Sequence, residues 1–165
     1  MEKIVRGVVS LACLVLLIGC ESSNETSRDA CAGKSDGAVV INDENLRDSA
    51  ANFIANAGDR VFFAYDKSNI SPEAEATLAR QAEWLQNNPS RRVLIEGHCD
   101  ARGTREYNLG LAERRADAAA HYLINRGISG DRVRTISYGK DRPIAAQGTT
   151  EEVYRMNRVA ISVIE

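Results

Sequence analysis

From residue 60 onward, the apolar positions of the chain follow two alternating periods. "RVFFAYD" (Arg60–Asp66) is a β-rich run closed by the turn-prone "DKSN". "SPEAEATLARQAEWLQNNP" then changes period: Leu78, Ala82 and Leu85 fall at i, i+4 and i+7, the stripe of an amphipathic helix. Ser71 can cap that helix, Pro72 suits its first turn, and Glu73 and Glu75 favour its positive end. Asn87, Asn88 and Pro89 stop it. "RRVLIEGHC" (Arg91–Cys99) predicts the next strand, with Val93, Ile95, Gly97 and Cys99 on one face and Leu94, Glu96, His98 and Asp100 on the other. A Gly-containing turn leads into a long helix from about Arg105 to Asn125. Its buried stripe is read as Leu109, Ala112, Ala116, Ala119 and Leu123, and Gly127 supplies a left-handed stop. "RVRTISYG" (Arg132–Gly139) predicts a third strand. A Pro/Gly loop and a short helix near Glu151–Met156 follow, and "NRVAISVIE" (Asn157–Glu165) alternates as the last strand. The order βαβαβ(α)β predicts an α+β fold with helices packed on one face of a mixed four-stranded sheet.

The N-terminus has a different pattern. Lys3 and Arg6 precede an uncharged apolar stretch, Val8–Gly19, too short to cross a bilayer and shaped like a secretory signal. The "LIGC" that ends at Cys20 resembles the lipobox of bacterial lipoproteins. That resemblance implies removal of residues 1–19 and acylation of Cys20, whose several buried chains anchor a protein stably. Glu21 follows, where an Asp favours inner-membrane retention, so sorting to the outer membrane is expected. The next stretch, "ESSNETSRDACAGKSDGAVVIND", is rich in Ser, Asn, Asp and Gly and reads as a flexible linker. The expected organisation is a signal over 1–19, a lipidated linker over 20–50 and one domain over 51–165, a common domain size.

Composition narrows the function. The formal net charge is −2 and aromatics are 5% of the chain, with no basic run interleaved with aromatics, which argues against nucleic acid as a partner. Of four cysteines, Cys13 leaves with the signal and Cys20 takes lipid. Cys31 and Cys99 are read as separate thiols, because no spacing argues for pairing.

"GHCDARGTREYNLGLAERRA" (Gly97–Ala116) concentrates the candidate chemistry. His98, Cys99 and Asp100 are metal-ligand types, but strand neighbours point to opposite faces. The only other histidine, His121, lacks a ligand spacing, and neither C-x-x-C nor H-E-x-x-H is present. No metal or cofactor is therefore expected. A G-x-S-x-G elbow is also missing, and His98 has no evident nucleophile. Asn108 and Arg115, about two turns apart on the helix, share a face with Leu111 between them, and Asp100 ends the preceding strand. A carboxylate and a guanidinium facing one pocket suit a zwitterion: Asp100 for an ammonium, Arg115 for a carboxylate, Asn108 for positioning. A plain Asp100–Arg115 ion pair, or an Arg115 on a solvated face, fits the same pattern equally well.

The same stretch resembles the signature of OmpA-like peptidoglycan-binding domains, G-H-x-D-x-x-G followed by Y-N-x-x-L-x-x-x-R-A. "FFAYDKSNISPEA", "SYGKDRPIA" and "MNRVAI" resemble further segments of that family. The resemblance covers roughly Val61 to the C-terminus. It implies a non-enzymatic lipoprotein of the outer membrane, facing the periplasm, that binds the diaminopimelate of uncrosslinked stem peptides. Asp100 and Arg115 would be the diaminopimelate pair, Asn108 their support, and Asp66 a contributor at the rim. It further implies TolB as a partner, with TolA as another candidate, and a role in envelope integrity and division. Three positions depart from the pattern: Cys99 replaces Thr or Ala, Ala64 stands where an Asp is common, and Asn157-Arg158-Val159 replaces Asn-Arg-Arg, which puts a second arginine contact in doubt. The alternatives are a wall-binding lipoprotein of the same family without Tol partners, and a periplasmic peptidoglycan hydrolase working near His98 and Asp100. A flagellar stator subunit would need a true transmembrane helix.

Overall fold

A computed structural model describes residues 43–145 and 148–165. The signal, Cys20, Cys31 and the linker up to residue 42 lie outside the described residues. The elements are α1 (Asp43–Asn56), β1 (Arg60–Phe62), α2 (Pro72–Asn87), β2 (Val93–His98), α3 (Arg105–Asn125), a 3₁₀ turn (Gly130–Arg132), β3 (Val133–Gly139), α4 (Glu151–Asn157) and β4 (Val159–Ile164). The strands form one sheet in the order β1-β4-β2-β3. β2 runs parallel to β3, while β4 is antiparallel to both β1 and β2. The sheet is mixed and four-stranded, as the element order predicts.

Local chemistry accounts for the helix ends. The Ser71 hydroxyl accepts from the Ala74 amide at 3.2 Å and opens α2, with Pro72 in its first turn. Thr104 does the same for α3 through the Tyr107 amide. Gly127, at φ +93°, takes the left-handed conformation that lets the chain leave α3. The predicted stripe of α2 is buried in full. In α3 the buried face includes Leu111, while Leu109 is only half-buried. The stripe is displaced because Asn108 and Arg115 also turn inward, which rotates the buried arc toward them.

One element is absent from the sequence reading. α1 runs across the boundary drawn at residue 51, so ordered structure starts within the stretch read as linker. Leu46, Ala50, Phe53 and Ala57 recur at helical spacing, and Phe53 and Ala57 are core residues. The polar residues of α1, three of them asparagines, hid this stripe. Phe53 meets the Trp84 ring edge-on at 5.0 Å, and Trp84 Nε1 donates to Asn52 Oδ1 at 2.8 Å.

The core lies between the helices and one face of the sheet. Val93, Ile95, Ala160 and Ile164 point into it against Leu78, Leu85, Ala116 and Leu123. Ser162 also faces inward and donates to Gln81 Oε1 at 2.9 Å, while Gln81 Nε2 donates to the Gly58 carbonyl at 2.7 Å. These bonds satisfy polar groups that would otherwise cost free energy in the core. Near the end of β2 the backbone of α3 comes so close that a Cβ on Gly97 would lie 2.0 Å from the Ala112 carbonyl oxygen. This approach seats α3 on the sheet. Just beyond it, Cys99 is buried with Leu111 and Ala112, and burial pushes its thiol up to about 11 against the partly offsetting charge of Arg115.

Two outcomes follow from this packing. Gly97→Ala must separate β2 from α3, and we expect it to lower unfolding stability by about 3 kcal/mol in urea melts; stability within about 0.5 kcal/mol of wild type would contradict the close approach. At pH 8 only about one Cys99 thiol in a thousand is ionised at such a pKa. Iodoacetamide should therefore leave the Cys99 peptide unmodified in the native protein and label it fully in urea, as read by mass spectrometry.

Candidate functional site

The site forms where β2 ends. The β2–β3 register shifts between Gly97 and His98, and regular strand stops at His98. Side-chain alternation lapses there. Cys99 and Asp100, assigned to opposite faces from the sequence, both line one cavity of about 60 Å³, whereas His98 turns away. His98 Nδ1 pairs with the Arg142 carbonyl at 2.9 Å and its ring lies against Tyr138. Its Nε2 is buried without a hydrogen-bond partner, 3.8 Å from Glu96, and burial holds the ring below the ordinary histidine pKa. Among the described residues no three His, Cys, Asp or Glu side chains gather as a metal site requires, and no helix is long and apolar enough to cross a membrane.

The four residues singled out from the sequence all line this cavity: Asp66, Asp100, Asn108 and Arg115. Asp66 sits at the rim with φ +56° and accepts a hydrogen bond from the Tyr107 hydroxyl. Asn108 is buried. Its amide donates to the Arg102 carbonyl at 2.7 Å and to the Thr104 carbonyl at 2.9 Å, fixing the loop between β2 and α3. Gly103, at φ +84°, makes the turn in that loop. Asn108 thus works on the loop.

Arg115 and Asp100 share the cavity but are not bonded to each other. Arg115 is 1% exposed. Its guanidinium donates to the carbonyls of Lys67 (2.9 Å), His98 (2.9 Å) and Ala64 (3.2 Å) and to Cys99 Sγ (3.2 Å). A solvated Arg115 and a plain Asp100–Arg115 pair are both set aside by this geometry. Asp100 is held by two other arginines. Arg102 Nη2 lies 2.6 Å from its Oδ2 and the Arg102 amide 3.1 Å from its Oδ1; Arg158 Nη1 lies 3.3 Å from its Oδ2. Burial pushes the Asp100 carboxyl up, but these bonds and the Arg102 charge outweigh it and hold the group below the usual carboxylate value.

Sequence reasoning missed Arg102 and undervalued Arg158. Arg102 is stacked between the rings of Tyr65 and Tyr154, 4.1 and 4.3 Å from their centroids. Arg158 is 5% exposed, donates to the Phe63 carbonyl and grips Glu151 at 2.9 Å. Val159 stands where a second arginine is expected, and Arg158, the arginine that remains, reaches Asp100. Its signal was an arginine heading a strand whose other positions are almost all apolar. Neighbouring Asn157 accepts from the Ile144 and Ala145 amides and ties down the preceding loop.

Charges at the site balance. Arg102, Arg115 and Arg158 face Asp66, Asp100 and Glu151, three cations and three carboxylates. A ligand that carries one ammonium and one carboxylate leaves that balance unchanged. A net cation or anion would upset it inside a partly desolvated cavity, where uncompensated charge is costly.

Comparison with known proteins agrees with this architecture. Residues 62–157 match the OmpA family. A peptidoglycan-associated lipoprotein of Rhizobium meliloti (strain 1021) is 43% identical over 99% of this chain and 91% of its own length. One from Brucella melitensis biotype 1 is 40% identical over 99% and 95%. Among solved structures, the peptidoglycan-associated lipoprotein from Burkholderia pseudomallei aligns with a TM-score of 0.63 at 34% identity, covering 65% of this chain and 90% of that one. The C-terminal domain of Helicobacter pylori MotB aligns at 0.59 with 23% identity, over 65% and 84%, and shares the fold alone. The matched segment contains Asp66, Asp100, Asn108 and Arg115, and the chain belongs to the OmpA family as a relative of the peptidoglycan-associated lipoproteins.

Proposed function

We propose that this chain tethers the outer membrane to the cell wall without covalent chemistry. The observation that carries the reading is the neutral cavity of Asp100, with one face walled by buried Arg115 and Asp66 at its rim. The side-chain end of diaminopimelate has the matching pair of charges. Its ammonium adds to Asp100 and its carboxylate to the guanidinium side of the cavity, with Asn108 keeping the loop in place. The names of the relatives, which couple a lipoprotein with peptidoglycan, support the same ligand. The organisation completes the tether: residues 1–19 direct export, lipid on Cys20 enters the outer membrane, and the segment up to residue 42, ahead of α1, links it to the domain on the periplasmic side. TolB is the partner proposed for this domain, with TolA as a further candidate, in a system that maintains the envelope and acts at division. The protein catalyses no reaction in this scheme.

The test is co-sedimentation of the full lipidated chain, in detergent, with diaminopimelate-type sacculi. Wild type should sediment with the sacculi and release no soluble muropeptides. Asp100→Asn removes the charge that receives the ammonium and should reduce retention at least about tenfold, the scale of a lost charge-assisted hydrogen bond. Arg115→Lys, which keeps the charge but not the fork, should do the same. Melting curves of each variant separate lost binding from lost folding. Equal retention of folded variants rules out this pocket, and muropeptides released by wild type alone would identify a hydrolase.

Acidification is expected to act late. Because the folded Asp100 carboxyl is held below its ordinary value, its contribution is fully present above the unfolded pKa of about 3.9 and disappears only as pH falls through the lower folded value. Retention at pH 4.5 should equal that at pH 7. A loss centred near pH 5 would show that Asp100 is not the group that binds.

A further inference from the structure

A second and larger cavity lies on the far side of the Asp100–Gly103 loop. Its volume is about 490 Å³. Cys99 lines both cavities, and Tyr154, a wall of the second, stacks on Arg102, a wall of the first. The two are therefore neighbours across a single loop. Ala101, Pro143, Val153 and the Tyr154 ring give the second cleft a carbon-rich wall. Among the described residues, Lys140 is its only charged lining residue and no carboxylate lines it. Lys140 Nζ donates to the Gly103 carbonyl at 2.7 Å and lies 3.5 Å from the Ala101 carbonyl. An ammonium has three protons, so one remains free for a ligand. Asp141, next in the chain, is engaged with Arg105 at 2.7 Å.

We propose that this cleft is a second subsite, which takes the D-alanine that follows diaminopimelate in a stem peptide. The proposal rests on the diaminopimelate reading of the first cavity. The D-alanine methyl lies on the carbon wall, and its free α-carboxylate pairs with Lys140. D-alanine is joined to the main-chain carboxyl of diaminopimelate. The diaminopimelate side chain plus one residue of chain, roughly 8–9 Å in all with about 3.5 Å for the residue, therefore separates D-alanine from the charged end in the first cavity, a reach that suits two cavities separated by one loop. The chemistry of wall cross-linking makes such a subsite informative. A cross-link joins the carboxyl of a D-alanine on one stem to the side-chain amine of diaminopimelate on another. The first cavity needs that amine free, and the second needs that carboxyl free. Together they select stems that have been neither acceptor nor donor.

Calorimetry on the full lipidated chain in detergent micelles tests this with two peptides, L-Ala-γ-D-Glu-diaminopimelate-D-Ala as its terminal acid and as its terminal amide. Wild type should bind the acid about fivefold to tenfold tighter than the amide, the range of a partly exposed charge-assisted contact. Lys140→Gln should bind both peptides with the affinity wild type shows for the amide. Thr149→Glu, a substitution at an exposed position that places a carboxylate at the cleft, should invert the preference. Equal binding of acid and amide by wild type, or a preference unchanged by both substitutions, overturns the subsite and leaves the diaminopimelate reading standing. If neither peptide binds wild type, or if Asp100→Asn binds both as well as wild type does, the diaminopimelate reading falls and the subsite with it.

Discussion

Among the described residues, the bulkiest fully buried side chain is a cation, Arg115. Burying a guanidinium is costly unless its donors are bonded and its charge is balanced nearby. Arg115 meets the first condition with backbone carbonyls drawn from two places, the β1–α2 loop (Ala64 and Lys67) and the end of β2 (His98). Carbonyls are neutral, so the second condition falls on its surroundings. Asp100 and Asp66 supply that balance, and burial still leaves Arg115 below its ordinary pKa. The rim loop, the strand end and α3 are therefore held by one side chain, and the two acids at the cavity are part of what makes its burial tolerable.

That constraint depends on how near α3 lies to the sheet. Gly97 lets the Ala112 backbone approach β2, and Ala112, Ala116 and Ala119 keep the rest of that interface thin. A bulkier interface would lift Arg115 away from the His98 carbonyl. The apolar packing thus sets the distance, and the polar network uses it. Loss of regular pairing after Gly97 then allows Cys99 and Asp100 to reach the same cavity, which an ideal strand would forbid.

Strong periodic signals were legible in the sequence. The stripe of α2, its Ser71-Pro72 start and the Arg105–Asn125 span of α3 follow from spacing and capping chemistry alone. So does the gathering of Asn108 and Arg115 on one helix face, and the four expected site residues do line one cavity. What was not legible depends on tertiary contact. α1 buries only a narrow stripe, and its polar majority made it read as linker. The partners of Asp100 come from residues 2 and 58 positions away, Arg102 by a local turn and Arg158 from the junction between α4 and β4. No periodicity marks such pairs. The misassigned faces of Cys99 and Asp100 have a similar cause, because the rule of alternation holds only while the strand continues.

In the proposed binding mode, binding and folding would use the same groups at this site. Arg102 and Arg158 already occupy Asp100, so an incoming ammonium would not meet a bare carboxylate. It would enter a network in which carboxylate lone pairs are shared, and the ligand carboxylate would compensate the guanidinium whose partner the ammonium draws upon. Arg102 is the member best placed to yield. It is one-third exposed, against 6% for the Arg158 side chain, and its stacking on Tyr65 and Tyr154 can persist while its hydrogen bonds change. Arg115 and Arg158, fixed to backbone carbonyls, have no such freedom. The cavity therefore combines a rigid floor with one adjustable wall. This arrangement favours a ligand that replaces charge for charge over one that only adds a contact.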